Sequence, residues 1–339
     1  MSSTTTALDA VALGRWLASR GEPVVGEVAV ERIGLGQSNL TYLVQDEDSH
    51  RWVARRPPLG TLLASAHDVA REHRILTALA GTAVPTPGVV GLVEDDAVCA
   101  APLLVVEHVD GLVVDRMDVA EAMTEEQRSR VGPGLAEVLA GLHAVDLEEV
   151  GLQDLASHSS YAQRQLKRWI RQWEASRTRD LPDLDRLTGW LHDHVPERTS
   201  LSVVHGDLHI RNVILDPGTA AVRAVLDWEL CTLGDPLADL GSTLAYWPEA
   251  GDPWIGLFDA TRLPGFSGRR DVAEAYAVAS GRDLEDLAFW EALGMWKVAI
   301  IVEGVRRRAR DEPANAAEGG PPPAELTDGL VARALDLTT

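Results

Sequence analysis

His205-Gly206-Asp207-Leu208-His209-Ile210-Arg211-Asn212 closes one β-prone run and opens another, and Val225-Leu226-Asp227-Trp228-Glu229 ends the next β-prone segment. The hydropathy pattern predicts strands over 212–215 and 222–226, joined at Asp216-Pro217-Gly218. A two-residue turn there would bring Asn212 and Asp227 to neighbouring strand ends. Taken singly, Asp and Asn in loops mostly make turns and caps. Together, Asn212 and Asp227 offer one neutral and one charged oxygen, the hard ligands that suit Mg2+. His205, Asp207 and His209 also alternate, and on an extended segment they would share one face. That pattern offers a rival reading as a metal-dependent hydrolase, although no further ligand cluster occurs elsewhere in the sequence.

Composition bounds the rest. The chain has 339 residues, 45% hydrophobic and 24% charged, with a formal net charge of −21. This is the composition of a globular protein of one large or two ordinary domains, able to bury its core without disulfide or metal staples. The acidity disfavours nucleic acid and anionic membrane surfaces as partners, because both present dense negative charge. The two cysteines, Cys99 and Cys231, match no zinc spacing and fit a reducing cytoplasm. Residues 1–10 read as lacking a basic region and an apolar core of a signal peptide, and no run of 18 apolar residues suggests a membrane span. Ten Trp against three Phe and four Tyr is an unusual aromatic usage with no explanation in the sequence itself.

Along the chain, helical periodicity over 8–17 gives way to strand patterns at 24–33, 41–44 and 51–54, then to a helix over 65–80 and strands at 89–93 and 103–107. Beyond Gly111 the pattern is mostly helical, over 124–143, 161–177, 184–195, 236–247, 272–280, 284–310 and a short final segment. Thr124 and Gln127 form a capping box, and Gly132-Pro133-Gly134 should kink or break the helix that follows. Residues 311–325, with Gly319-Gly320-Pro321-Pro322-Pro323, read as a flexible linker. There are no internal repeats.

An acid, an amide five residues on and a second acid after the next strand resembles the kinase arrangement of catalytic-loop Asp and Asn followed by a metal-binding Asp. His205-Gly206-Asp207 through Asn212 meets the His-Gly-Asp-x-x-x-x-Asn signature of the aminoglycoside phosphotransferase family, which also includes choline-kinase-like enzymes. Gly36-Gln37-Ser38-Asn39-Leu40-Thr41-Tyr42, Arg55-Arg56-Pro57-Pro58, Ser65-Ala66-His67, Arg71-Glu72, Leu226-Asp227-Trp228-Glu229-Leu230 and Gly234-Asp235-Pro236 are similar to the branch fused, in some proteins, to acyl-CoA dehydrogenase domains. The resemblance implies an α+β, bilobal protein-kinase-like fold. A small β-rich nucleotide lobe would span 1–107, and a larger helical catalytic and acceptor-binding lobe 108–339.

The resemblance further implies an ATP- and Mg2+-dependent transfer of a phosphoryl group to a hydroxyl of a small molecule, with Asp207 as base and Asn212 and Asp227 as metal ligands. A carboxylate of ordinary pKa suffices, because the transition state is loose and the base mostly positions the nucleophile. Gly34, Gly36, Ser38 and Asn39 would lie over the phosphates. Arg55, standing where kinases usually carry Lys, would bind phosphate and pair with Glu72, a carboxylate on the apolar stripe of Val69, Leu76 and Leu79. Arg56 alternates to the other face. Backbone groups at Glu107 and Val109 would meet the adenine at an interlobe hinge. Asp239 reads as structural, bonding catalytic-loop amides, and Asp235 as a helix cap. His209 and Arg211 read as solvent-facing or loop-fixing. The acceptor remains open between hydroxyacyl-CoA-like and aminoglycoside-like molecules. The Arg55 substitution keeps a second class in view, a nucleotide-binding pseudokinase serving as an interaction module.

Overall fold

The computed structural model describes residues 8–33, 39–58, 68–155, 160–197, 200–252, 256–312 and 320–339. The chain divides into two compact units, one formed by residues up to Asp110 with Leu226–Glu229, the other by Gly111–Val225 and Leu230–Thr339.

The first unit is built on an antiparallel sheet of β1 (Ala29–Ile33), β2 (Leu40–Gln45), β3 (Arg51–Arg56), β4 (Val89–Val93) and β5 (Leu103–Glu107), in the order β1-β2-β3-β5-β4. Alternation along β3 buries Trp52, Ala54 and Arg56 and leaves Val53 and Arg55 on the opposite face. Helix α1 (Ala10–Ser19), capped by Asp9, covers the Trp52 face with Leu13 and Leu17, and Trp52 donates its indole N–H to Glu22 at 2.7 Å. Helix α2 (Val69–Leu79) starts at Asp68, whose carboxylate accepts from the Arg71 amide, and packs against β4 and β5. Its buried stripe is Val69, Glu72, Ile75, Leu76 and Leu79, so one carboxylate is carried into an apolar layer. The turn between β2 and β3 is organised by Asp46, which accepts from the amides of Val25, Asp48 and His50 and from the His50 ring.

The second unit is mostly helical: α3 (Met117–Ala122), α4 (Glu125–His143), α5 (Tyr161–Ser176), α6 (Pro182–Asp193), α7 (Pro236–Ala245), α8 (Arg269–Ser280), α9 (Leu287–Asp311) and α10 (Ala324–Asp336). Two short antiparallel pairs interrupt it, β6 (Ser202–Val204) with β9 (Thr232–Gly234), and β7 (Val213–Leu215) with β8 (Val222–Val225). The core joins α5, α6, α9 and α10 through Leu166, Trp173, Leu187, Trp296, Ile300 and Leu330. Part of the tryptophan usage finds its place here: Trp247 and Trp296 are among the largest fully buried side chains, as is Trp228 in the first unit. Helices α7 and α9 cross at Gly241 and Gly294. A Cβ on Gly241 would stand 2.4 Å from the Trp290 carbonyl carbon, so only glycine permits this approach. At the outer end of α9, fully buried Glu303 accepts from the hydroxyls of Thr178 and Thr327.

Two expectations change. Of the expected kink or break, the break does not occur: helix α4 runs through Pro133. Proline withholds the N–H that would have met the Ser129 carbonyl, and the Ser267 hydroxyl donates to that carbonyl instead, at 3.2 Å. The β7–β8 connection is no two-residue turn but residues 216–221, in which Asp216 accepts from the amides of Gly218 and Thr219 and Ala220 takes φ +58°. The strands β6 and β9 and the helix α3 are too short for periodicity to show. No helix among the described residues is long and apolar enough to cross a membrane.

Candidate active site

In the helical unit, β6 ends at Val204 and hands the chain to the His205–Asn212 loop. Gly206 has φ +83°, and a Cβ there would lie 2.9 Å from the Leu230 carbonyl oxygen, so the turn requires glycine. Asp239, buried on α7, accepts from the His205 amide at 2.5 Å and the Gly206 amide at 2.7 Å. Thr243, one turn on, donates to the Leu208 carbonyl at 2.8 Å. From α9, Lys297 donates to the Gly206 carbonyl at 3.0 Å. Asn212 spends its amide hydrogen on the Asp207 carbonyl at 2.9 Å, which leaves its carboxamide oxygen for a cation. The loop is therefore fixed from two helices, α7 and α9, and by its own Asn212, and Asp207 is the side chain it presents, about a quarter exposed.

The electrostatics of Asp207 differ from the ordinary carboxyl expected. Burial alone would raise its pKa, but His209, Lys297 and His205 outweigh that and hold it down at about 2. His209 is buried, not solvent-facing. Its Nε2 stands 3.6 Å from Asp207, and its ring packs edge-on to Tyr246 and Phe258. Arg211 lies over Phe258. The hydrolase pattern does not form: Gly206 breaks the extended segment, the Asp207 amide donates to His205 Nδ1 at 3.3 Å, and no metal-ligand cluster occurs among the described residues. Asp235 caps α7 by accepting from the Leu237 amide.

In the sheet unit, Arg55 on β3 bridges two acids, Glu72 Oε1 at 2.5 Å and Asp227 Oδ1 at 3.0 Å, through separate nitrogens. Burial works against the guanidinium charge, but Glu72, Asp227 and Glu229 outweigh it and raise the pKa of Arg55. Burial pushes Glu72 up, to about 7, against the pull of Arg55. Asp227 is 39% exposed and takes φ +66°, a left-handed conformation that Asp tolerates better than most residues. Asn39, buried at the start of β2, donates to Glu229 at 3.2 Å, and Arg71 donates to the Glu229 carbonyl. Arg56 points the other way and bonds the Tyr42 hydroxyl at 3.1 Å. Glu107, the last residue of β5, uses its amide on the Gly88 carbonyl, and Val109 follows half-buried beside the Arg51–Asp110 ion pair. Gly34, Gly36 and Ser38 lie outside the described residues.

One model, that of the phosphotransferase enzyme family (APH), matches residues 29–290. The chain belongs to this family. As a member of the phosphotransferase family it has the family's kinase-like fold. It is 33% identical over 327 residues to acyl-CoA dehydrogenase family member 10 of Mus musculus, a match that covers 94% of this chain and 30% of that protein. It is 31% identical over 241 residues to an aminoglycoside 3'-phosphotransferase of Streptomyces fradiae, covering 68% of this chain and 80% of that protein. A solved structure from Ralstonia eutropha, described as a candidate aminoglycoside phosphotransferase, superposes with a TM-score of 0.80 at 30% identity, over 97% of this chain and 99% of that one. The chain spans about a third of the length of the acyl-CoA dehydrogenase family relatives it matches.

Sequence reading did not single out Lys297. The available signal was a lysine inside the buried run Leu293-Gly294-Met295-Trp296 and Val298-Ala299-Ile300, where an ammonium needs a partner. Glu229 entered only as a branch motif, and its contact with Asn39 spans 190 positions that no local pattern links.

Proposed function

We propose that this chain transfers the γ-phosphoryl group of ATP to a hydroxyl of a small molecule in a Mg2+-dependent reaction, with Asp207 as base. The supporting observation is the anchored loop: an ionised Asp207 presented by backbone held at Asp239, Thr243 and Lys297, with the Asn212 amide turned inward. The acceptor hydroxyl oxygen attacks the γ-phosphorus and the bond to the β,γ-bridging oxygen breaks, leaving the electron pair on ADP. The hydroxyl proton passes to an Asp207 oxygen. A carboxylate held this acidic takes it only as the P–O bond forms, which suits a loose transition state.

A hard divalent cation would suit these donors by their chemistry: the carboxamide oxygen of Asn212 and the carboxylate of Asp227, one oxygen of which Arg55 also bonds. Bound Mg2+ would neutralise charge on the phosphates. Arg55 and Asn39, with Gly34, Gly36 and Ser38, would bind the phosphates, Glu72 would hold Arg55, and the backbone of Glu107 and Val109 would receive the adenine. The acceptor would be hydroxyacyl-CoA-like or aminoglycoside-like, in keeping with the two kinds of relative. Replacing Asp207 by Ala or Asn should lower turnover on the order of 10²–10⁴ in a coupled ADP-release assay over both acceptor classes. An unchanged rate with a genuine acceptor would sink the assignment.

One observation favours the pseudokinase reading. Arg55 bonds Asp227, the proposed metal carboxylate. Thermal-shift titration with ATP separates the two. Stabilisation that requires Mg2+ supports the transferase, and stabilisation indifferent to the metal supports the binding module.

A further inference from the structure

The loop that presents Asp207 borders a cleft lined by Tyr161, Gln165, Trp169, Ser242, Trp290 and Lys297, together with the Gly206 backbone. Its free space is about 20 Å³, roughly one water molecule's worth, so a ligand would reach in with one small group and lie across the mouth. No carboxylate lines it. Two donors do. Lys297 has its ammonium at the Gly206 carbonyl, which uses one of three hydrogens, and lies over the Trp169 ring. Ser242 is 6% exposed, and its hydroxyl has no hydrogen-bond partner among the described residues. A buried hydroxyl left unpaired costs on the order of 1–3 kcal/mol, which makes it a marker for an absent ligand atom or water.

The mouth carries the same sign of charge. Helix α5 holds Arg164, Lys167, Arg168 and Arg171 against the single acid Glu174, in a chain whose net charge is −21. Tyr161, Gln165 and Trp169 recur every fourth residue along the cleft, and Arg164 and Arg168, each one position before Gln165 and Trp169, form a ridge that Arg171 continues three residues on. Arg164 covers the Tyr161 ring and Arg168 the Trp169 ring. Among the described residues, Lys167, Arg168 and Arg171 enter no ion pair. Lysine is itself scarce here: Lys297 is one of only two in the sequence.

We propose that Lys297 and Ser242, with the arginine ridge of α5, are specificity-determining residues that select acceptors carrying an anionic oxygen group near the hydroxyl to be phosphorylated, and disfavour amines. The ammonium and the hydroxyl would receive one oxygen of that group inside the cleft, while the ridge attracts its charge from solution. This inference rests on the phosphotransferase reading and deepens it.

Three probes of equal carbon-chain length test it: 3-hydroxyoctanoate, 3-hydroxyoctanamide and 1-amino-octan-3-ol, titrated calorimetrically into the full chain with a non-transferable ATP analogue and Mg2+. The carboxylate should bind at least tenfold more tightly than the amide, and the amine most weakly, with the difference shrinking as salt rises. Lys297→Met should abolish the carboxylate's advantage and Lys297→Arg should keep most of it. The exposed Arg168→Glu, which spares the core, should weaken the carboxylate several-fold and the amide little. Equal affinities, a preference for the amine, no binding of any probe to a protein that still binds ATP, or an advantage that survives Lys297→Met would overturn the proposal. Loss of ATP binding itself, or Asp207-independent transfer, would instead remove the phosphotransferase reading beneath it.

Discussion

Replacing Asp239 by Asn should cost both stability and turnover, although Asp239 is not placed against any reacting atom. Its two oxygens take the His205 and Gly206 amides, and the same carboxylate faces His143 Nε2 at 3.3 Å. All of these groups are buried. A hydrogen bond to a charged acceptor contributes about 1.5–3 kcal/mol, and a buried donor left unpaired costs about 1–3 kcal/mol. Asn keeps one acceptor oxygen and turns an NH2 towards the second amide, so we expect a loss of about 2–4 kcal/mol. Asp239→Ala removes both acceptors and should lose about 3–6 kcal/mol, a large share of the stability of an ordinary domain. Urea unfolding followed by tryptophan fluorescence measures this, with single-turnover phosphoryl transfer below the unfolding midpoint as the second readout. The transfer rate should fall at least tenfold in the Asn variant, because the amides it releases set the direction in which Asp207 points. Stability within about 0.5 kcal/mol of the parent, together with an unchanged rate, would refute the view that α7 fixes the loop.

Pro133 and Ser267 should be coupled: Ser267→Ala should cost about 1 kcal/mol in the parent and close to nothing in a Pro133→Ala background, where the Ser129 carbonyl regains its helical partner; a double-mutant cycle by urea denaturation measures the difference. Arg55→Lys keeps the charge but offers one ammonium in place of two nitrogens aimed at separate acids, so ATP affinity by calorimetry should drop roughly tenfold even if the Glu72 pair survives. Glu303→Ala should lose about 3 kcal/mol, because Thr178 and Thr327 hydroxyls are left without their acceptor, with Glu303→Gln recovering part of it. Asp46 is held at about 2 by its bonds from His50 and from backbone amides, outweighing desolvation; its folded pKa thus lies below the unfolded one, and its contribution is present above pH 4 and lost as pH falls towards 2. Acid unfolding should therefore be steeper in the parent than in Asp46→Asn over that window.

Much of the fold was legible because long elements carry their own period. The strands β4 and β5 and the helix α4 have the boundaries that alternation, helical spacing and the Thr124–Gln127 box dictate. Asp239 was legible for a different reason: the family resemblance assigned it to the catalytic-loop amides, and it bonds those of His205 and Gly206. What escaped the sequence are contacts between distant positions. The unbroken α4 depends on a serine more than a hundred residues away, and Lys297 gains meaning only when α9 is laid beside the loop by the Gly241–Gly294 crossing. The short strands β6 and β9 exist because they pair with each other, not because three residues have any preference of their own.

The arginine at position 55 has a practical corollary for how such a protein would be found. Nucleotide analogues bearing an amine-reactive group report ATP sites by acylating a lysine beside the phosphates, and a guanidinium leaves them unreacted. Both lysines of this chain belong to the helical unit, and one is exposed on α5. Surveys of ATP-binding proteins that depend on amine chemistry would pass over the proposed phosphate site, and any lysine labelling they did detect would map to Lys167 or Lys297. A vicinal dicarbonyl reagent, which condenses with guanidinium groups, is the matched probe, with protection by ATP as its control.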